Sequence, residues 1–207
     1  MTEYYIPTQA SESEFVEKRS RFIGHVWRVE TEEEARAHIE EMKKRYYDAR
    51  HNCWCYLLGP NLVRYSDDGE PQGTAGQPML NVFQRENVTG AVCVVTRYFG
   101  GILLGSGGLI RAYSTGASIA VKAASKAKIV PCGEYQVTLD YPQLGSFQNL
   151  LSTVEGEQTD AQYTDRIALT VVVPQEQANA FESRVVETFN ATVVPQLVGT
   201  SNRPVKV

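Results

Sequence analysis

Three short stretches of this 207-residue chain gather residues able to do chemistry. The first, SDDGEPQGTAG at residues 66–76, places Asp67, Asp68 and Glu70 within four positions, just before Thr74. Oxygen donors that close together suit a hard cation such as magnesium, but they lack the spacing of a calcium loop. Asp68-Gly69 and Glu70-Pro71 also set a tight turn whose acids stay solvated or pair with an arginine, and the turn is the preferred reading. In the second stretch, HNCWC, His51, Cys53 and Cys55 alternate and share one face of a strand, while Asn52, Trp54 and Tyr56 share the other. No second His or Cys cluster completes a zinc site. A Cys–His nucleophilic pair two residues apart would be placed by the pleat rather than by catalytic geometry. The expectation is therefore buried thiols beside a hydrogen-bonded histidine.

The third stretch, RYFGGILLGSGGLIRAY at residues 97–113, carries Gly100, Gly101, Gly105, Gly107 and Gly108 between a strand and a helix. Unhindered N–H groups at a helix start cradle anions, with Arg97 and Arg111 positioned to meet a phosphate or carboxylate and Tyr98, Phe99 and Tyr113 able to stack on bases. Against a nucleotide loop, there is no G-x-x-x-x-G-K-[ST] and no acid about twenty positions on. Ile102, Leu103 and Leu104 interrupt the glycines with apolar side chains. The run suits protein packing at least as well as phosphate, the glycines supplying positive φ and close contact.

The elements that must position these residues follow from the hydrophobic period. RFIGHVWRV (21–29) alternates as a strand. Thr31 starts a helix with Glu34 as capping-box partner and an apolar stripe through Ala35, Ile39, Met42 and Tyr46. HNCWCYLL and LVRYSDD form a hairpin about Gly59-Pro60-Asn61. Thr74 is the expected N-cap of a helix anchored by Leu80 and Phe83. AVCVVTRYF (91–99) reads as a strand covered on both faces, and a helix is expected from Leu109 to about Lys126. From Pro131 the pattern becomes CGEYQVTLDY strand, PQLGSFQNLLSTV helix and a turn around Glu155 to Asp160. AQYTDRIALTVVVP then supplies strand material, PQEQANAFESRVVETF a helix and ATVVPQLV a last strand. That order is β-α-β-β-α-β, the ferredoxin-like arrangement. The chain reads as α+β with two domains, residues 1–130 and 131–207.

Charge divides with the domains. Residues 1–130 carry 16 Lys and Arg against 15 Asp and Glu, and residues 131–207 carry 4 against 9, so a polyanionic partner should meet the first. The hydrophobic content of 43% is that of a globular protein. No apolar run approaches the roughly 20 residues of a membrane span. The opening MTEYYIPTQASESEF lacks the basic and apolar regions of a secretory signal. Cys53, Cys55, Cys93 and Cys132 lie in apolar surroundings and are read as reduced. A cytoplasmic protein is expected.

The stretches EKRSRFIG, DARHNCWCYLLG, YSDDGEPQGTAGQPML and VVTRYFGGILLGSGGLIRAY together resemble the IMPACT family, including its bacterial YigZ-like members. The match runs in order through most of the chain. The resemblance implies a ribosomal-protein-like β-α-β superfold in the N-terminal domain, similar to domain IV of elongation factor G, and a ferredoxin-like C-terminal domain. It also implies a role in binding: eukaryotic members resemble translational regulators that compete for the activator of the amino-acid-starvation kinase. The family signature falls on His51, Asp67, Asp68, Glu70, Thr74 and on the arginines, tyrosines and glycines of residues 97–113, with no catalytic role and no metal or cofactor to transfer. The expected partner is RNA, the ribosome or a translation-associated protein met by the N-terminal domain. The alternative is a magnesium-dependent enzyme acting on a nucleotide or phosphometabolite at the glycine loop.

Overall fold

A computed structural model of the chain describes residues 4–59 and 61–206. The chain divides into two compact units, Met1–Lys128 with Pro204–Val207, and Ile129–Arg203. Among the described residues no helix is long and apolar enough to cross a membrane.

The first unit is built on a five-stranded sheet in the order β2 (Ser11–Glu17), β3 (Ser20–Arg28), β6 (Ala91–Tyr98), β4 (His51–Leu57), β5 (Val63–Ser66), every neighbour antiparallel. Strand β1 (Tyr4–Pro7) lies beside Asn87–Thr89, with Tyr5 N–H donating to the Asn87 carbonyl at 2.8 Å. Helix α1 (Glu32–Arg45) covers one face of the sheet, and α2 (Gly76–Arg85) and α3 (Gly105–Ala123) cover the other. The central strand is apolar throughout because both its faces are covered. Val92 and Val94 pack with Ala35, Ile39 and Met42 of α1, whereas Cys93 and Val95 pack with Met79, Phe83, Ala112 and Ala117. Close approach of α3 to β3 rests on two glycines outside the signature loop: a Cβ on Gly24 would lie 2.9 Å from the Gly116 carbonyl oxygen.

Helix α1 begins as expected, the Thr31 hydroxyl accepting the Glu34 N–H at 3.2 Å. The capping box is modified, since the Glu34 carboxylate accepts from Glu30 N–H at 2.7 Å, one residue before the cap. The β4–β5 hairpin is formed, with Leu57 opposite Val63, and Pro60 of its turn lies outside the described residues. Helix α3 departs from expectation by starting at Gly105 rather than Leu109. Glycine has a low helix propensity, but buried Leu104 and Leu109 anchor the first turn in the core and override it. Strands β1 and β2 were not expected: β2 is an edge strand with one half-buried face, where Phe15 stacks on Phe22 at 5.1 Å. The β2–β3 turn places Lys18 and Arg19 at φ of 44° and 66° without a glycine or asparagine to announce it.

The second unit runs β7 (Lys126–Leu139, within this unit from Ile129), α4 (Leu144–Thr153), β8 (Glu157–Tyr163), β9 (Ile167–Pro174), α5 (Ala178–Thr188) and β10 (Gln196–Lys206, within this unit to Arg203). Its sheet is ordered β10, β7, β9, β8. Alternate residues Val137, Leu139, Leu169 and Val171 form one core with Phe147, Leu151, Phe181 and Val185 from the two helices. The expected element order is present, with two boundaries moved. The segment read as a turn around Glu155 to Asp160 is already strand from Glu157, because β8 is an exposed edge and carries no apolar alternation. The last strand begins at Gln196, while Val193, read as part of it, is buried ahead of it.

Phe181 meets Tyr135 edge-on at 5.0 Å and Phe147 at 6.2 Å. Phe181→Ala should destabilise the protein by about 3–5 kcal/mol in urea unfolding followed by circular dichroism. A loss below about 1 kcal/mol would mean that this core is not as close-packed as described.

Candidate functional site

The register of β3, β6 and β4 sets Phe22, Arg97 and His51 side by side on the face covered by α2 and α3. Glu70 enters the same space from the loop between β5 and α2. Arg97 Nη1 donates to Glu70 Oε1 at 2.7 Å, the two side chains only 7% and 4% exposed. The Tyr113 hydroxyl, from α3, donates to the same oxygen at 2.8 Å. His51 Nε2 stands 4.0 Å from Glu70 Oε2. Arg97 also reaches Ser20 Oγ at 3.4 Å, and its guanidinium lies 5.6 Å from the Phe22 ring and 5.5 Å from that of Phe99. Either charge alone in this interior would cost several kcal/mol; together they neutralise one another. Arg97 and Tyr113, expected as ligand contacts, are thus interior groups.

The acidic loop holds backbone. Asp67 Oδ1 accepts from Ala75 N–H at 3.0 Å and Gly76 N–H at 2.9 Å, and Oδ2 accepts from Gly73 N–H at 2.8 Å. A full carboxylate therefore caps α2 from outside the helix, where orphan N–H groups and the macrodipole favour negative charge. Thr74 is not the cap: its hydroxyl donates to the Pro71 carbonyl at 2.6 Å, and α2 begins after Ala75. Asp68 Oδ2 accepts Asn52 N–H at 2.7 Å, and the Asp68 carbonyl faces His51 Nδ1 at 2.8 Å. A carbonyl only accepts, so Nδ1 carries the hydrogen and Nε2 faces Glu70. Asp68 and Gly69 both have positive φ, 44° and 85°, as the Asp-Gly turn predicts. The three carboxylates thus point to α2, to β4 and to Arg97. Among the described residues no three His, Cys, Asp or Glu side chains converge on a metal position.

All four cysteines are free and buried. Cys53 donates to the Asp67 carbonyl at 2.9 Å, so neither it nor His51 is aimed at the other as a nucleophilic pair. Burial pushes the Cys53 and Cys93 thiols up, away from the thiolate form.

The glycine run divides into two parts. Gly100 is a point of close backbone approach: a Cβ there would fall 2.0 Å from the Arg19 carbonyl carbon, and its N–H donates to Ser20 Oγ at 3.2 Å. Gly101 and Gly105 have φ of 83° and 70°, while Gly107 and Gly108 lie within the first turn of α3. Tyr98 donates to Asp48 at 2.7 Å, and that hydrogen bond pushes its phenol up to about 12. What remains open is a different set: Arg111 on α3, with Phe99 45%, Ile102 41% and Leu103 83% exposed. Sequence reasoning missed Ser20, Asp48 and the buried Thr96–Asn52 hydrogen bond of 2.7 Å. Ser20 signals itself only as a small polar residue opening an apolar strand, which has meaning once the register is known.

Replacing Arg97 by Met should cost about 3–5 kcal/mol, because Glu70 is left buried and unpaired. The Arg97→Met/Glu70→Gln double variant should lose less than the sum of the two single changes in urea unfolding; additive losses would show that the pair is not coupled. The thiols Cys53 and Cys93 should resist Ellman's reagent in the native protein at mildly alkaline pH and react fully once urea unfolds it. Rapid native labelling of either thiol, located by mass spectrometry, would contradict their burial.

Residues 18–121 match the family model of the Impact N-terminal domain, and residues 137–192 match that of a domain of unknown function, DUF1949. The chain is 38% identical to IMPACT family member YvyE of Bacillus subtilis over 90% of this chain and 87% of the relative. It is 36% identical to an IMPACT family member of Haemophilus influenzae, covering 96% and 98%. It also resembles a crystal structure described as that of a hypothetical protein, with a TM-score of 0.60 at 31% identity, over 96% of this chain and 98% of the other. The signature stretches and the relatives agree over nearly the whole length: the chain belongs to the IMPACT family.

Proposed function

We propose that this chain is a non-catalytic binding protein of the translation apparatus, working in the cytoplasm. It docks on a ribosomal or translation-associated partner through the surface formed by Phe99, Ile102, Leu103 and Arg111 of the first unit. One observation carries this reading: the signature's Asp67, Asp68, Glu70 and Arg97 are engaged within the fold, whereas the loop after Arg97 leaves an apolar run exposed beside the exposed Arg111. An apolar patch rimmed by charge is the usual form of a protein-binding surface. The folds support it by analogy. Strands β3 and β4, joined by α1, run parallel with β6 between them, which suits the ribosomal-protein-like superfold. The order β10, β7, β9, β8 with two helices suits a ferredoxin-like domain. Fold does not by itself fix function, so the exposed loop is what the proposal rests on.

The magnesium-dependent enzyme has less support. Its acids Asp67 and Asp68 accept backbone N–H groups, and Glu70 is ion-paired. Its glycine run leads into a helix without the lysine of a phosphate loop.

Co-sedimentation with purified ribosomes tests the proposal. Wild-type protein should pellet with ribosomes at near-physiological salt, and Leu103→Glu and Ile102→Glu should each weaken binding about tenfold, the size of a modest interface hot spot. Melting temperatures should stay unchanged, since neither side chain is buried. Failure of the wild type to pellet at any salt, or full binding by both variants, would overturn it.

A further inference from the structure

The face of the first unit's sheet that carries α1 holds a second constellation, none of whose residues belongs to the signature's charged sites. Arg36, Glu40 and Lys43 recur at helical spacing along α1, beside the buried Ile39. Trp54 and Tyr56 alternate on β4, and the hairpin register sets Arg64 of β5 opposite Tyr56. Together these residues line a groove of about 410 Å³, within the range of small-ligand sites, roughly 300–1,000 Å³.

The lining combines a flat aromatic pair with excess positive charge. The Trp54 and Tyr56 rings stack at 5.6 Å with an interplanar angle of 8°. Tyr56 is buried and fixed, while Trp54 keeps part of its surface open. Three cations face one acid, Glu40. Arg36 pairs with Glu32 at 3.3 Å and Lys43 with Glu40 at 3.4 Å. Such exposed pairs contribute about 0–1 kcal/mol, so an incoming anion can replace them. Arg64 is exposed and donates at 2.9 Å to the carbonyl of its neighbour Val63. A purely apolar ligand gives no role to three cations, and an acidic peptide gives none to a stacked indole. A nucleotide uses both, since any base has a π-face to lay on an aromatic ring and its phosphate takes guanidinium hydrogen bonds.

We propose that the groove between α1 and the β4–β5 hairpin binds a nucleotide unit, its base packed on Trp54 backed by Tyr56 and its phosphate held by Arg36, Lys43 and Arg64. The same unit is offered by a free mononucleotide and by a single strand of RNA.

The test titrates the full chain with AMP, UMP and fluorescently labelled six-nucleotide A and U strands at low salt. Binding is read by calorimetry for the mononucleotides and by anisotropy for the strands. Trp54→Ala and Arg64→Glu should each weaken binding at least about tenfold, as loss of one stacking platform or reversal of one phosphate contact predicts. Leu103→Glu should leave it unchanged. Circular dichroism guards against misfolding of the Trp54 variant, and Arg64, being exposed, carries the test if that variant does not fold. Binding of both forms marks a free-nucleotide site, and binding of strands alone marks an RNA site. Absence of binding by either form overturns the proposal, as does binding that ignores both substitutions. So does a glutamate hexapeptide that binds as tightly and with the same dependence on Arg64. The ribosome-binding proposal uses other residues, so either can fail while the other stands.

Discussion

The buried pair of Arg97 and Glu70 is the interaction on which the first unit depends. It joins the end of β6, the loop ahead of α2, α3 through Tyr113 and the β2–β3 hairpin through Ser20. An apolar cluster of equal volume would be at least as stable, because desolvating two ions consumes most of what their attraction returns. Among the described residues, the buried Nε of Arg97 meets no hydrogen-bond acceptor. The pair supplies uniqueness of placement. A planar guanidinium between Glu70, Ser20 and two aromatic rings fits in one arrangement, and that arrangement fixes where the loop and α3 meet the sheet.

Around the pair, the acids of the preceding loop act as backbone acceptors. One Asp67 carboxylate gathers three N–H groups from Gly73, Ala75 and Gly76, tying the end of the loop to the start of α2. Asp68 fastens the same loop to β4 through Asn52 N–H and His51. Groups held this way gain geometric precision and lose chemical freedom. A carboxylate whose lone pairs already accept two or three N–H donors is a poor candidate for metal ligand or general base. The same residue types that suggest catalysis in sequence thus serve here to rigidify a loop.

What could be read from the sequence was whatever repeats with a period. The stripe Ala35, Ile39, Met42 locates α1, the unbroken run from Ala91 locates β6, and Phe181 and Val185 mark α5. Edges and long-range caps leave no such trace. Strands β2 and β8 are half or wholly exposed, so their sequences SESEFVE and EQTDAQY resemble loops. The Lys18-Arg19 turn has positive φ without glycine. The cap on α2 comes from a residue far enough upstream that local rules assign it to Thr74 instead. For the site, the turn, the paired acid and the buried thiols were legible. Which arginine is inside was not.

That last ambiguity decides how the signature should be interpreted. Arg97 and Arg111 frame the same stretch and have the same chemistry. Arg97 falls on the strand face shared with Phe22 and His51, so it is drawn into the core. Arg111 falls on α3 between Leu109 and Ala112, Tyr113, Gly116 and Ala117, which face inward, and is left on the outer side. A signature so divided is chiefly a specification of the fold: its tight turn, its cap, its ion pair and the close approach at Gly100 are what make this architecture. What the architecture leaves uncovered is the Phe99 to Leu103 loop with Arg111 and, apart from it, the Trp54 groove, the two surfaces to which the proposals assign binding. Both surfaces draw on the signature stretches, the Phe99 to Leu103 loop with Arg111 in one and Trp54 in the other, but on side chains left open rather than on those that hold the core together.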